Sequence, residues 1–308
     1  MTPHSPARRS PARQNPARQI PARQSPARRS PAASGRVSFA TRLQPFAATA
    51  LALVTIGIPL WLVVATAGKS RGEALIPNLT PPAHWHLLEN LGEVWREGEV
   101  PAAFFGSLLV VVPAVIGVLI FGSMASWILA RRATRLNAVL YALAISGIIL
   151  PPAVVTVVLL LRQLGLAGSA VGMIGVYMGI YMSTVIFFVT GFVRTIPVSL
   201  EEAAQIDGAG PVRVFFHVVL PLLRPVLATA TILVCLYVWN DVFYAFFVVG
   251  GRLDTLPLNL FRVAGAGLYL NNWHLIFAYV ILMSLPLVVV FAVAQRKIIS
   301  GITSGAVK

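Results

Sequence analysis

The sequence predicts an all-α, polytopic membrane protein with six transmembrane helices and both termini in the cytoplasm, and three observations carry that prediction. First, 57% of the 308 residues are apolar and only 11% are charged, with a mean hydropathy of +0.80. Soluble domains carry about 25% charged residues, so this chain has too few ions to wet a surface of its own. Second, six stretches are long and apolar enough to cross ~30 Å of hydrocarbon, which takes ~20 helical residues. Third, the basic residues fall on alternate sides of those stretches. A soluble globular enzyme is a poor fit to all three.

The first element is a tail. Residues 1–44 hold nine Arg and no acid, whereas the other 264 residues carry 15 basic and 10 acidic side chains, so most of the formal charge of +14 belongs to the tail. Pro6, Pro11, Pro16, Pro21, Pro26 and Pro31 recur every five residues. Proline at that spacing removes backbone donors and forbids a continuous helix, so 1–45 reads as a disordered cationic arm. No aromatic interleaves the repeat and an apolar span follows directly, which argues against nucleic acid as a partner. The same prolines argue against the amphipathic helix of a transit peptide. The arm suits anionic lipid, each Arg contributing ~1 kcal/mol near the surface.

The six spans follow at about 46–68, 102–130, 138–161, 169–193, 225–250 and 275–294, and Asp241 is the one charge in any of them. Pro59, Pro113, the pair Pro151 and Pro152, and Pro286 lie inside spans, where neighbouring helices can satisfy the freed carbonyls. With the N-terminus inside, 18 of the 24 basic residues are cytoplasmic, among them Arg131, Arg132, Arg135, Arg194, Arg213 and Arg224. That bias predicts N-in and C-in topology. The organisation is thus an arm at 1–45, a first helix with an extracytoplasmic loop at 46–101, a membrane core at 102–296 and a cytoplasmic tail at 297–308.

The outer loop, 69–101, is rich in Glu and contains His84 and His86. Residues two apart diverge on a helix or a strand, and Pro81 and Pro82 mark a loop, so no metal site is expected. Gly68-Lys69-Ser70 ends like a phosphate-binding loop, but the position of its first glycine is Val63, inside the first span. The single cysteine, Cys235, reads as a small apolar residue of the fifth span.

The cytoplasmic segment 194–224 is more than a turn. Ser199-Leu200-Glu201-Glu202 has the form of a capping box, with Ser199 at the N-cap. Gly208-Ala209-Gly210-Pro211 then breaks the helix, and Pro211 is placed to open a second one, from Val212 to about Val219 and ending at Leu220-Pro221. The expectation is two short helices lying against the membrane face, with Leu200, Ala203, Ala204 and Ile206 in need of a partner groove.

Glu202-Ala203-Ala204, Gly208, Val218 and Leu220-Pro221 at these spacings resemble the EAA loop of ABC-importer permeases. Val218 stands where the pattern has Ile. Leu200 to Ala209, Trp239-Asn240-Asp241 and the ending Ser304-Gly305-Ala306-Val307-Lys308 are similar to the maltose-type carbohydrate subfamily. The resemblance covers about 46–308 and leaves the arm out. It implies a multi-pass subunit of a bacterial inner membrane that is not itself an enzyme. This chain would bind no cofactor, with ATP held by a separate partner subunit. It also implies a second permease chain, two ATP-binding subunits and an extracytoplasmic solute-binding protein as partners. Glu201, Glu202, Ala203, Ala204, Asp207, Gly208, Leu220 and Pro221 would form the coupling helix that docks on the ATPase.

Along the solute route, Trp239, Asn240 and Asp241 either line the path or, for Asp241, pair with Arg252, Arg262 or a helix end. Tyr177 and Tyr181, four residues apart, either stack on a sugar or pack, while Gly172, Gly175 and Gly179 suit close helix contact. An ion-coupled secondary transporter needs several ionisable residues within the membrane, and an integral-membrane enzyme needs clustered His, Asp or Glu at one face. One Asp in a span and the acids of the outer loop are weak support for either.

Overall fold

The computed structural model describes residues 39–150, 152–265 and 271–306, and side chains from 45 to 292 within those limits. The basic repeat arm therefore lies outside the described residues up to position 38, as do Val307 and Lys308 of the tail. The chain divides into two units, 1–51 and 52–308; the described part of the first is helical throughout.

Thirteen α-helices and one π-helical turn occupy the described residues, and no strand is among them. Helix α1 is Phe39–Ala67, with its apolar stretch at Pro45–Ala67. Between Leu51 and Val64 most of its large apolar side chains are exposed, which suits hydrocarbon rather than water. The following loop is tightly tied. Lys69 is buried, its Nζ donating to Asn78 Oδ1 at 2.6 Å, to Asn78 O at 3.2 Å and to Thr80 Oγ1 at 3.2 Å. With its three protons engaged, Lys69 has none left for a phosphate. Backbone N–H groups of Ala83 and Ser70 donate to the Glu73 carboxylate and hold its pKa below the ordinary value. Helix α2 (Leu87–Glu97) is anchored by Asn90, whose Nδ2 reaches the carbonyls of Ala67 and Lys69 at 2.8 and 2.9 Å.

Helix α3 (Val100–Arg131) and helix α6 (Ala170–Val193) form the central packed pair. Gly117 and Gly122 of α3 let the helices approach: a Cβ at either would meet Met178 or Val185 at 2.8 Å. Gly106 gives way in the same manner to the backbone at Asp254, and Ser107 Oγ accepts the Leu256 N–H at 2.8 Å.

In the chain between α3 and α6 come α4 (Arg135–Ile149) and α5 (Val154–Gln163), bent by 114° to each other. The stretch 138–161, expected to be one span containing Pro151 and Pro152, is thus two bent helices, α4 ending just before that pair: proline cannot donate, and it pushes the preceding residue out of the helical region. Helix α7 is Ser199–Ile206 and α8 is Pro211–Val214; a π-helical turn at Phe215–Val219 leads into α9 (Leu220–Leu222). Helix α10 (Arg224–Trp239) packs on α3, α6 and, later in the chain, α13. Its 16 residues rise only about 24 Å, and the chain breaks at 240–242 before α11 (Phe243–Val249). The uninterrupted fifth span expected over 225–250 is thus two helices. Helix α12 (Leu256–Gly265) sits against α3 and α13. Helix α13 (Trp273–Ala306) outruns the expected 275–294 and continues into the tail, with Pro286 inside it.

Four helices are long and apolar enough to cross a membrane, and up to six cross if each bent pair counts as one span. The all-helical fold class stands.

Candidate coupling surface and solute pathway

The short helices at 199–222 present exposed polar and apolar side chains together, Glu202, Ile206, Asp207 and Val212 among them. Helix α7 does not begin as a capping box. The chain turns helical from Pro197, so the N–H groups of Leu200 and Glu201 find the carbonyls of Pro197 and Val198, and Ser199 stands one step inside the helix with no side-chain cap. The glutamates are thereby released from capping.

They then divide. Glu201 turns inward and is only 4% exposed. Arg131, in the last turn of α3, donates to Glu201 Oε1 from Nε at 2.9 Å and from Nη2 at 2.7 Å, while Trp127 Nε1 donates to Oε2 at 2.9 Å. Arg131 Nη2 also reaches the Ile196 carbonyl at 2.9 Å. The Trp127 ring lies 5.8 Å from that of Phe215, itself buried, so the same two α3 residues hold both ends of the loop. Glu201 is therefore withdrawn from the docking face on which the sequence placed it.

Glu202, Ala203, Asp207 and Gly208 are exposed, Ala204 is half-buried, and Ile206 is 86% exposed. An acid at each end of α7 flanks a bare Ile206, a pattern that a partner's basic and apolar groups can cover. Helix α7 stops in a left-handed Gly208, φ +82°, whose N–H bonds to Gln205 O at 3.0 Å while Ala209 N–H bonds to Ala204 O at 3.0 Å. Both bonds are those of a Schellman stop. Gly210 precedes Pro211 at the start of α8, as the sequence predicts.

The second helix does not end at Leu220-Pro221; it widens. Leu220 N–H reaches back five residues to Phe215 O, and Pro221, having no N–H, sits just past that π turn. Widening the turn is how a helix admits a ring that would collide with the carbonyl four residues earlier. Leu220 and Pro221 are half-buried and line a cavity of about 700 Å³ with Ile116, Phe216, Arg224 and Thr231.

At the other break, Asp241 accepts the Tyr177 hydroxyl at 2.8 Å and the backbone N–H groups of Tyr244 and Ala245 at 3.3 and 3.0 Å. It closes the start of α11, so of its two sequence readings the helix end is the one realised; Arg262 pairs with Asp254 instead. Trp239 is buried, donating Nε1 to Met283 O at 3.1 Å and packing on Phe104 at 6.2 Å. Asn240 is exposed.

Tyr177 is buried, and Tyr181 stacks between it, at 6.2 Å, and Tyr237, at 5.7 Å with planes 7° apart. Tyr237 is half-exposed and was missed by the sequence analysis, which had no span-to-span pairing to offer. Gly175 and Gly179, expected at a helix contact, have nothing within reach of a Cβ and line an apolar cavity of about 440 Å³ between α5 and α6. Among the described residues no group of three or more His, Cys, Asp or Glu could hold a metal.

Comparison with known proteins places this geometry. Residues 119–304 match the family described as binding-protein-dependent transport system inner membrane component. The melibiose/raffinose/stachyose import permease protein MelC of Bacillus subtilis is 36% identical over 259 residues, covering 82% of this chain and 91% of that protein. The diacetylchitobiose uptake system permease protein NgcG of Streptomyces coelicolor is 30% identical, covering 82% and 84% respectively. The probable starch degradation products transport system permease protein AmyC of Thermoanaerobacterium thermosulfurigenes is 30% identical, covering 86% and 96%. A chain in the crystal structure of a bacterial ABC transporter that imports the acidic polysaccharide alginate has the same fold, with a TM-score of 0.72 at 20% identity over 87% of this chain.

Proposed function

This chain belongs to the binding-protein-dependent transport system inner membrane components, and from that premise we propose that it is a permease subunit of an ATP-driven importer for a carbohydrate. It is a multi-pass membrane transport subunit and not an enzyme. In the proposed arrangement it crosses a bacterial plasma membrane six times, N-in and C-in, with α4 and α5 serving as one broken span and α10, bent by 79° from the 211–222 segment, in another. ATP is hydrolysed by two separate subunits. A second permease chain completes the path, and an extracytoplasmic solute-binding protein delivers the sugar.

The observation that carries the coupling role is the split of the glutamate pair. One carboxylate fixes α7 to the membrane helices and the next, Glu202, is left free on an exposed face with Ile206 and Asp207. A surface so held and so bare fits docking to a partner. The carbohydrate assignment is supported by relatives named for oligosaccharide uptake and by the stacked Tyr181 and Tyr237 rings, since aromatic faces suit sugar C–H surfaces.

Glu202→Lys reverses the charge of the docking face, and Gly208→Pro imposes φ near −65° on a residue at +82°. Both variants are expected to insert normally but to lose co-purification with the ATPase and to lose uptake. Undiminished complex and transport in both would refute the docking role.

A further inference from the structure

Given the importer reading, movement of the ATPase enters this chain through α7, and we infer that Glu201, Arg131 and Trp127 form a clasp that passes it to α3. Helix α7 is joined by the chain to α6 through 194–198 and towards α10 through 207–223, but to α3 by side chains alone. That side-chain link is a largely buried ion pair with three hydrogen bonds. Both carboxylate oxygens of Glu201 are occupied, Arg131 presents two N–H groups to one of them, and the pair is screened from solvent, with side-chain exposures of 17% and 5%. Charge-assisted, two-point contacts of this kind fix orientation as well as distance.

The route towards α10 is built differently. It passes the π turn at 215–219 and Pro221, and then an axis change of 79° into α10. A segment that lacks regular i to i−4 bonds and turns a corner cannot act as one rod, so α10 can lag when α7 and α3 move together. Because α3 is packed on α6 through Gly117 and Gly122, the α3–α6 pair moves as the driven body. Arg131 and Trp127 are positioning residues: they touch neither sugar nor ATP, and they set which helices follow the coupling helix.

The test uses the complete assembly, reconstituted in proteoliposomes, with complex recovery, ATP hydrolysis and sugar uptake measured for Arg131→Met and for the milder Trp127→Phe. Neither variant alters an exposed residue of α7, so the complex should still form, in lower yield for Arg131→Met because Glu201 loses its charged partner, and ATP hydrolysis per recovered complex should persist. Sugar transported per ATP should fall by about tenfold in Arg131→Met and less in Trp127→Phe, within the usual range of coupling free energies. An unchanged ratio overturns the clasp, and so does loss of the complex in both variants, which would make these residues merely structural. Failure of the unmodified assembly to import any sugar with ATP would sink the importer reading and the clasp's role with it.

Spin-label distances give a check free of any folding defect. In a Cys235→Ser background, labels at Gln205 and Ile128 should keep their separation through the ATP cycle, while labels at Gln205 and Leu236 should change theirs. A Gln205–Ile128 distance that changes as much as the other overturns the proposal.

Discussion

At the residue scale the instructive pair is Glu201 and Glu202, neighbours of identical chemistry with opposite fates. Truncating Glu201 to Ala removes the acceptor of Arg131 and Trp127 and leaves a guanidinium half-buried without its carboxylate. Breaking a buried pair from one side costs on the order of 3–5 kcal/mol, the lower end applying here because Arg131 keeps the Ile196 carbonyl and some water. The expected outcome is faster proteolysis at 194–210 and a lowered Tm in detergent, whereas Glu202→Ala should leave both unchanged. Equal effects of the two substitutions would contradict the assignment of one as anchor and the other as docking residue. The sequence pointed to both glutamates and to Gly208, because spacing and turn chemistry are local. It could not separate anchor from docking residue, because Arg131 and Trp127 lie some 70 positions away and only helix packing brings them to Glu201. Arg131 had been legible only as a marker of the cytoplasmic side.

At the scale of elements, hydropathy located the apolar helices but not their breaks. Pro151-Pro152 and Asn240-Asp241 were both visible in the sequence, yet prolines at 113 and 286 sit inside continuous helices. The difference is backbone supply: a lone proline costs one bond that a neighbouring helix can absorb, while Asp241 offers a new start by accepting the Tyr244 and Ala245 N–H groups. Asp241→Ala should therefore fray α11, costing about 1 kcal/mol as the loss of an N-terminal cap does. Amide exchange at Tyr244 and Ala245 reads this directly: exchange should quicken in the variant, and unaltered protection there would show that the break needs no cap. The π turn is the other feature sequence rules passed over, since Pro221 read as a stop and instead widens the preceding turn.

For the whole molecule, nine of the positive charges behind the net +14 lie in the arm, and most of the rest follow the proposed topology. Outside the arm, basic residues gather at 131–135, 194–224 and 296–308, on the sides assigned to the cytoplasm. With each of the two bent pairs counted as one span, the proposed topology has six crossings that alternate across the bilayer. Reporter fusions check this topology: a periplasm-active reporter should be silent when fused at 133, 210 or 308 and active at 75, 166 or 253, and the reverse pattern would overturn it. The identity of the fold was legible because the loop at 199–221 is a long spaced pattern. The sugar was not, since side chains such as Tyr181 and Tyr237, proposed to meet it, come together across two helices that spacing in the sequence does not pair. The central claim is that this chain carries a carbohydrate inward at the expense of ATP hydrolysed elsewhere. Uptake of a panel of labelled oligosaccharides by proteoliposomes holding this chain, its partner permease, the ATPase and the solute-binding protein measures that directly. Uptake of at least one sugar that requires both ATP and the binding protein is the predicted result; uptake driven by an ion gradient with the ATPase omitted would contradict it.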